Sequence, residues 1–220
     1  MPLAEVWPAG PRMIDGYRRR MRMDRACHRS HYDDLATLAQ SMPDSMLVLD
    51  LETCGFSGSA VFLIGLLHHV DGTLVLDQLL ARDWSEESAI LETLWNITTE
   101  RHVLLTFNGK SFDWPMVHDR TTRHQLSLAD DRAQPIHCDL LHHARRRWRN
   151  DLPNCKLQTL ERFLCGRHRS GDIPGSEIPA AYADFVRSGN AVSMKAILHH
   201  NALDLVTLCH LALRLAAGVA

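Results

Sequence analysis

The stretch Met46-Leu47-Val48-Leu49-Asp50-Leu51-Glu52 joins an apolar run to two acids. The four apolar residues predict a buried strand. Side chains alternate between the two faces of a strand, so Asp50 and Glu52 point to the same side. Two carboxylates at the end of a core strand are costly to bury unless a cation compensates them, and their hard oxygen atoms suit Mg²⁺ or Mn²⁺ better than zinc. The alternative is a strand that ends at Asp50, with both acids in water.

The composition indicates one globular domain without an overall basic field. The chain has 220 residues, 45% of them hydrophobic, and a net charge of -2. Any binding of nucleic acid must therefore depend on local patches. Six scattered cysteines without a Cys-x-x-Cys pair, and no secretory leader, predict a reducing, cytoplasmic location. The longest apolar run, 60–67, is too short to cross a bilayer, so no membrane partner is expected.

Residues 1–45 differ in composition from the rest of the chain. Seven arginines fall between Arg12 and Arg29, and three prolines precede residue 13. Acids dilute this charge, which favours a partly helical or flexible N-terminal arm over a basic arm that tracks a nucleic-acid strand. We therefore expect an arm over 1–45 and one domain over 46–220.

Beyond residue 45 the hydrophobic pattern is that of an α/β domain with a mixed sheet. Asp71-Gly72 is typical of a hairpin turn, and Ser85 and Ser111 are expected to cap helices. The predicted strands are 46–50, 60–68, 74–80, 102–107 and 136–138. The predicted helices begin at about 85 and 111 and then cover about 139–149, 156–165, 180–187 and 192–215.

A third acid follows the glycine turn Phe107-Asn108-Gly109-Lys110, which joins a strand to a helix. Asp113 falls in the first turn of that helix, where the helix dipole favours an acid without any further role. A strand-to-helix switch is also a place where α/β proteins position binding groups. Lys110 contacts a phosphate or is simply exposed, and Asn108 orients a group of the site or only shapes the turn.

A third polar group interrupts the apolar stripe of the last predicted helix. His200, Asn201 and Asp204 lie among Ile197, Leu208 and other apolar residues of that stripe. One interpretation is a buried pair in which His200 bonds to Asp204 one turn away. The other is an acid of a metal site beside a histidine that acts as general base.

Seven segments in this order resemble the DEDD superfamily of 3′–5′ exonucleases, and in particular its YprB-like branch of predicted exonucleases. They are Leu49-Asp50-Leu51-Glu52-Thr53, Val61-Phe62-Leu63-Ile64-Gly65, Phe107 to Pro115, His137-Cys138-Asp139-Leu140-Leu141, Leu157-Gln158-Thr159-Leu160-Glu161, Asp172-Ile173-Pro174-Gly175 and His200-Asn201-Ala202-Leu203-Asp204. The resemblance implies a ribonuclease H-like fold, with a central mixed five-stranded sheet flanked by helices.

The resemblance also implies a catalytic site. Asp50, Glu52, Asp113 and Asp204 would bind two Mg²⁺ or Mn²⁺ ions, which clamp the attacking and leaving oxygens of a phosphodiester. One DEDD subclass has a tyrosine four residues before the last Asp, and the other has a histidine five residues before it. Here His200 stands four residues before Asp204. Positions i and i+4 share a helix face, so we expect His200 to orient the water, with His199 as the alternative.

The function expected on these grounds is a two-metal-ion nuclease, a 3′–5′ exonuclease on single-stranded DNA or RNA. Asn108 and Lys110 are its expected substrate-binding residues. The basic run Arg145-Arg146-Arg147-Trp148-Arg149 either tracks a single strand or forms a solvated helix face. The alternative function is a non-catalytic nucleic-acid-binding or scaffold domain on the same fold. A phosphatase ranks last, because the chain lacks an Asp-x-Asp-x-Thr/Val nucleophile pattern.

Overall fold

A computed structural model of the protein describes residues 13, 41–42, 44–55, 58–71, 73–99, 101–126 and 134–216. The N-terminal arm predicted over 1–45 lies almost entirely outside the described residues and stays a prediction. The domain predicted from residue 46 onward contains every strand and helix given below.

A mixed five-stranded sheet forms the centre of the domain. Its strands are β1 (Met46–Thr53), β2 (Val61–Val70), β3 (Thr73–Leu80), β4 (Val103–Thr106) and β5 (Ile136–Asp139). Their order across the sheet is β3-β2-β1-β4-β5. The strand β2 is antiparallel to both β1 and β3, whereas β4 is parallel to both β1 and β5. The mixed five-stranded sheet expected from the sequence is thus confirmed.

The central strand β1 is longer than its apolar run predicts. Pairing with β2 continues past Asp50, with Leu51 opposite Ile64 and Glu52 opposite Leu63, before an irregularity at Thr53. Backbone hydrogen bonding, which the hydrophobic pattern does not report, extends the strand. Both acids therefore lie within β1 and on one face. Because β1, β4 and β5 are parallel, the residues that follow them lie at the same edge of the sheet.

Helices cover both faces of the sheet, as predicted. They are α1 (Glu87–Thr98), α2 (Asp113–Arg123), α3 (Leu140–Trp148), α4 (Leu157–Leu164), α5 (Ile178–Ser188) and α6 (Val192–Ala216). One hydrophobic cluster contains Met46 and Val48 of β1 and residues of α3, α4 and α6. The other contains Leu47 and Leu49 with residues of α1, α2 and α5. Asp50 and Glu52 continue the even-numbered positions of β1 and so face the side covered by α6.

Both predicted helix caps are wrong. The Asp83 carboxylate accepts the backbone N–H of Ser85 at 2.8 Å, so Asp83 rather than Ser85 caps a short 3₁₀ turn there. Ser111 donates its backbone N–H to the Asn108 carbonyl and therefore still belongs to the turn after β4. The helix α2 begins two residues later, after Phe112, which makes no side-chain cap. Turn hydrogen bonds override the local preference of serine at both places.

The helix α6 is 25 residues long and passes through the core of the fold. Within the part of the chain that the structure describes, it alone has the length and hydropathy to span a membrane, and 72% of its most apolar stretch is buried inside the domain. The core position of α6 brings its polar residues against the sheet.

Candidate active site

Four acids from three elements meet at the edge where β1 ends. Asp50 and Glu52 come from β1, Asp113 is the first residue of α2, and Asp204 lies on α6. Burial raises the pKa of Asp50 well above its ordinary value, and the nearby charges of Asp204, Glu52 and Asp113 raise it further. The structure thus brings together the four carboxylates that were predicted from the sequence to share a site.

The pKa values of the other three acids of the cluster are raised as well. Burial, and then the charges of Asp204 and Asp113, raises the pKa of Glu52 to about 8. Burial raises the pKa of Asp113 to about 7, although hydrogen bonds from its own backbone and from that of Leu51 partly oppose the change. Burial also raises the pKa of Asp204, against the opposing charge of Arg169. Without a cation, the cluster therefore retains protons near neutral pH.

The Asn201 side chain fixes the Asp50 carboxylate. Its Nδ2 atom donates to the Asp50 Oδ2 atom at 2.9 Å and to the Asp50 backbone carbonyl at 3.2 Å. Its Oδ1 atom accepts a hydrogen bond from Gln78 Nε2 at 3.0 Å. Asp50, Gly65 and Gln78 stand side by side on β1, β2 and β3, so Asn201 of α6 spans three strands. Asp50 is thereby oriented before any ligand arrives.

A closed ring of polar contacts holds Asp204. Arg169 bonds through Nη2 to Asp204 Oδ1 and through Nη1 to Asp172 Oδ2, the latter at 3.2 Å. His200 faces the same two acids, with Nδ1 at 2.8 Å from Asp172 Oδ1 and Nε2 at 3.5 Å from Asp204 Oδ2. Both carboxylates therefore contact both basic side chains, which restricts all four groups.

A third acid, Glu161, also bonds to the guanidinium of Arg169. Its Nε atom donates to Glu161 Oε2 at 2.5 Å, and Glu161 is only 1% exposed. Thr207 donates to the other Glu161 oxygen at 3.0 Å. No pattern in the sequence indicates a role for Arg169, and Glu161 and Asp172 stand in the matching segments without a predicted role. An arginine in a loop has no periodicity that would indicate burial.

The two candidate histidines differ in environment. His200 is buried beside the acid cluster, whereas the His199 side chain is exposed on α6. A carboxylate only accepts hydrogen bonds, so the His200 Nδ1 atom carries the proton that faces Asp172. In the neutral ring, Nε2 then carries no proton, and at 3.5 Å from Asp204 Oδ2 it forms no hydrogen bond with that carboxylate. The geometry favours His200 over His199 as the base.

The predicted substrate-binding residues lie on the turn between β4 and α2. Asn108 adopts a left-handed conformation with φ 65°, which asparagine tolerates. The Asp139 carboxylate accepts the backbone N–H groups of Asn108 at 2.8 Å and of Lys110 at 3.1 Å. It also caps α3 through the N–H of Leu141. The turn is thus fixed through its backbone, and the Lys110 side chain is exposed.

The acid cluster suits a divalent cation by its chemistry. Its donors are hard carboxylate oxygens, and burial, followed by the negative charges of their neighbours, raises their pKa values. Within the described ranges, however, no three His, Cys, Asp or Glu side chains are arranged as a ready ligand set for one ion. Arg169 already occupies one oxygen of Asp204. Binding of an ion therefore requires small side-chain movements.

The mixed sheet with an acid cluster at the end of its central strand defines a ribonuclease H-like protein. Residues 47–216 match the family model of the RNase_H superfamily, and the chain belongs to that superfamily. The chain is also similar to the uncharacterized protein YprB of Bacillus subtilis (strain 168), with 34% identity over 176 residues. The match covers 76% of this chain and 41% of YprB, so the chain spans less than half of that relative.

Proposed function

We propose that the protein is a divalent-metal-dependent 3′–5′ exonuclease of the DEDD type, which hydrolyses single-stranded DNA or RNA. The observation that carries the proposal is the convergence of Asp50, Glu52, Asp113 and Asp204, whose pKa values are all raised. These four residues would hold two Mg²⁺ or Mn²⁺ ions. The cytoplasmic location expected from the sequence is part of this proposal.

The bound ions would supply the positive charge that makes a water nucleophilic and stabilises the leaving 3′-oxygen. The protein contributes position and proton transfer. Asn201 holds Asp50 in one orientation through two hydrogen bonds. His200 accepts the proton of the attacking water at Nε2, while the bond from Nδ1 to Asp172 fixes the tautomer and the plane of the ring.

A single-stranded end fits the surface beside the acids. Phe112 immediately precedes Asp113 and is 63% exposed, although it is large and apolar. An exposed aromatic ring at this position offers a stacking surface for an unpaired base. Lys110, on the same turn, is exposed and offers a positive charge for a phosphate, and Asn108 lies two residues before it. These groups favour an unpaired terminal nucleotide as the substrate.

One observation favours the alternative of a non-catalytic nucleic-acid-binding domain. Asp204 is already neutralised by Arg169, so the acids have a protein cation beside them without any metal. A site that had lost catalysis could keep such an ion pair for stability. The two functions differ in whether added metal ions produce hydrolysis.

The deciding experiment uses single strands labelled at one end, with Mn²⁺, with Mg²⁺ or with EDTA. A 3′–5′ exonuclease releases a labelled mononucleotide from a 3′-labelled strand and leaves a ladder of shortened 5′-labelled strands. A circular single strand should stay intact, and so should a chromogenic phosphomonoester. Binding without hydrolysis under all metal conditions would support the non-catalytic alternative, and cleavage of the circle would indicate an endonuclease.

A further inference from the structure

A groove begins at the turn after β4, which leads into Asp113, and lies between α3 and the start of α4. It consists of two adjoining cavities of about 550 Å³ and 370 Å³, both lined by Arg145, Asn154 and Cys155. The larger cavity reaches Asn108 on the turn after β4, and the smaller one reaches Arg149 at the end of α3. The groove therefore leads away from the edge of the sheet at which the acids lie.

The groove is lined by positive charge. Arg145, Arg149 and Lys156 are exposed there, and none of them pairs with a carboxylate among the residues that the structure describes. Arg147, on another side of α3, does face an acid, Asp151, at 3.9 Å. Unpaired basic groups that share one concave surface attract a ligand with repeated negative charges.

The orientation of α3 explains why Arg145 and Arg149 line the groove whereas Arg147 does not. Trp148 is buried with 4% exposure and packs in the same hydrophobic cluster as Ala144. The indole anchors α3 to the core and is not available to stack on a base. Arg145 and Arg149 are four residues apart and share a face, with their Cβ atoms about 6 Å apart.

We propose that the basic groove, formed by Arg145, Arg149 and Lys156, binds successive phosphates of the single strand whose 3′ end lies at the acid cluster. This inference rests on the proposed function and adds the path of the strand. Contacts with phosphate carry no information about base sequence, so the groove binds strands of any sequence. Its affinity falls as salt rises, because each bound phosphate releases counterions.

The test compares oligonucleotides of two lengths by fluorescence anisotropy, in EDTA to prevent hydrolysis. A strand of about four nucleotides occupies only the acid end, whereas one of about 15 also fills the groove. The variant Arg145→Gln/Arg149→Gln/Lys156→Gln should bind the long strand about tenfold more weakly and the short strand almost normally. The slope of log K against log salt for the long strand should fall by about 2, from three lost phosphate contacts.

The matched control removes three exposed positive charges elsewhere, with Arg82→Gln/Arg187→Gln/Lys195→Gln. This control should bind both strands like the wild-type protein. Equal weakening in both triple variants would overturn the groove, since net charge would then explain the effect. An unlabelled long strand and an acidic polyglutamate peptide should be compared as competitors. If the peptide displaces the labelled long strand equally well, nucleic acid is overturned as the occupant of the groove.

Failure of the groove and failure of the proposed function give different results. A wild-type protein that degrades single strands with Mn²⁺, beside a groove variant with unchanged binding, contradicts the groove alone. A wild-type protein that neither binds nor degrades either strand contradicts both. All three replaced side chains are exposed, so unchanged melting temperatures should show that the variants fold.

Discussion

Asn201 lies so close to Gly65 that a Cβ atom on Gly65 would come within 2.1 Å of the Asn201 Oδ1 atom. The missing side chain of Gly65 is therefore what allows α6 to reach the sheet beside Asp50. Asn201 is fully buried, and it uses this approach to bond with both Asp50 and Gln78. The glycine of β2 thus acts on the acid cluster without touching a ligand.

Gly65→Ala should lower the free energy of unfolding by about 1–3 kcal/mol, because the new methyl group displaces the Asn201 amide. Urea unfolding measures the loss. Gly175→Ala is the matched control, since no atom lies within 4 Å of a Cβ there. In an Asn201→Ala background the cost of Gly65→Ala should shrink, and an equal cost in both backgrounds would refute the contact as its cause.

Asp50→Asn should abolish hydrolysis and reduce the stabilisation by metal ions. An ion at a hundred times its Kd stabilises the native state by about 2.7 kcal/mol, and a variant that lacks a ligand gains much less. Thermal unfolding with and without Mn²⁺ measures this gain. Asp151→Asn, which removes an exposed acid outside the cluster, should behave like the wild-type protein. Full activity of Asp50→Asn would exclude a ligand role.

The metal-free protein should lose stability as the pH rises from about 4.5 to 8. The folded-state pKa of Glu52 is about 8 against an ordinary value of 4.5, and that of Asp113 is about 7 against 3.8. The folded state therefore holds protons that the unfolded state releases, and deprotonation within this range favours unfolding.

Urea unfolding between pH 5 and pH 8.5 measures this trend. Glu52→Gln should flatten it, and the exposed Glu92→Gln should leave it unchanged. Saturating Mg²⁺ should also suppress the loss, because the ion replaces the protons and screens the repulsion. A stability that rises across the same range would contradict the buried acid cluster.

His200→Ala should lower turnover by roughly 10²–10⁴-fold, as the loss of a general base does, with little change in strand binding. His199→Ala should have a much smaller effect, because that side chain is exposed. Asp172→Asn should lower turnover by about 10–100-fold and alter the pH profile, since it disturbs the bond to His200 Nδ1. Single-turnover assays separate these steps from product release. The reverse ranking of the two histidines would assign the base to His199.

Arg169→Met should destabilise the metal-free protein by about 3–5 kcal/mol, since it leaves buried carboxylates without their cation. Glu161, with 1% exposure, would keep only the longer ion pair with Arg167 at 3.5 Å. Added Mn²⁺ should stabilise this variant more than the wild-type protein, because an oxygen of Asp204 becomes free. Arg169→Lys keeps the charge without the fork and should fall between the two. An unchanged melting temperature in Arg169→Met would show that the ring around Asp204 contributes nothing to folding.

The sheet could be predicted because its strands carry their own pattern. Met46 to Leu49 are buried, as their apolar run requires, and the order of segments that resembles DEDD exonucleases implied the mixed topology. The helix starts near Ser85 and Ser111 could not be predicted, because longer turns take up the backbone hydrogen bonds there. Strand β1 likewise extends past its apolar run, because its backbone pairing with β2 continues beyond Asp50.

Only part of the candidate site could be found from the sequence. Asp50 and Glu52 are marked by an abrupt change from apolar to acidic residues. Arg169 and Asp172 have no such mark, because they lie in a loop and make contacts with α6 about 30 residues away. A loop arginine looks like a solvated residue until the tertiary structure surrounds it with carboxylates.

The three backbone amides that bond to the Asp139 carboxylate belong to two different segments. The turn segment leads directly into Asp113, and α3 leads to Arg145 and Arg149. Asp139 therefore ties the turn that leads into Asp113 to the start of α3, and so to the basic groove. On the proposed function, the number of nucleotides between the first held phosphate and the bond that breaks is constant. The shortest strand that reaches both the acids and the groove would then be set by the protein scaffold, whatever the sequence of the strand.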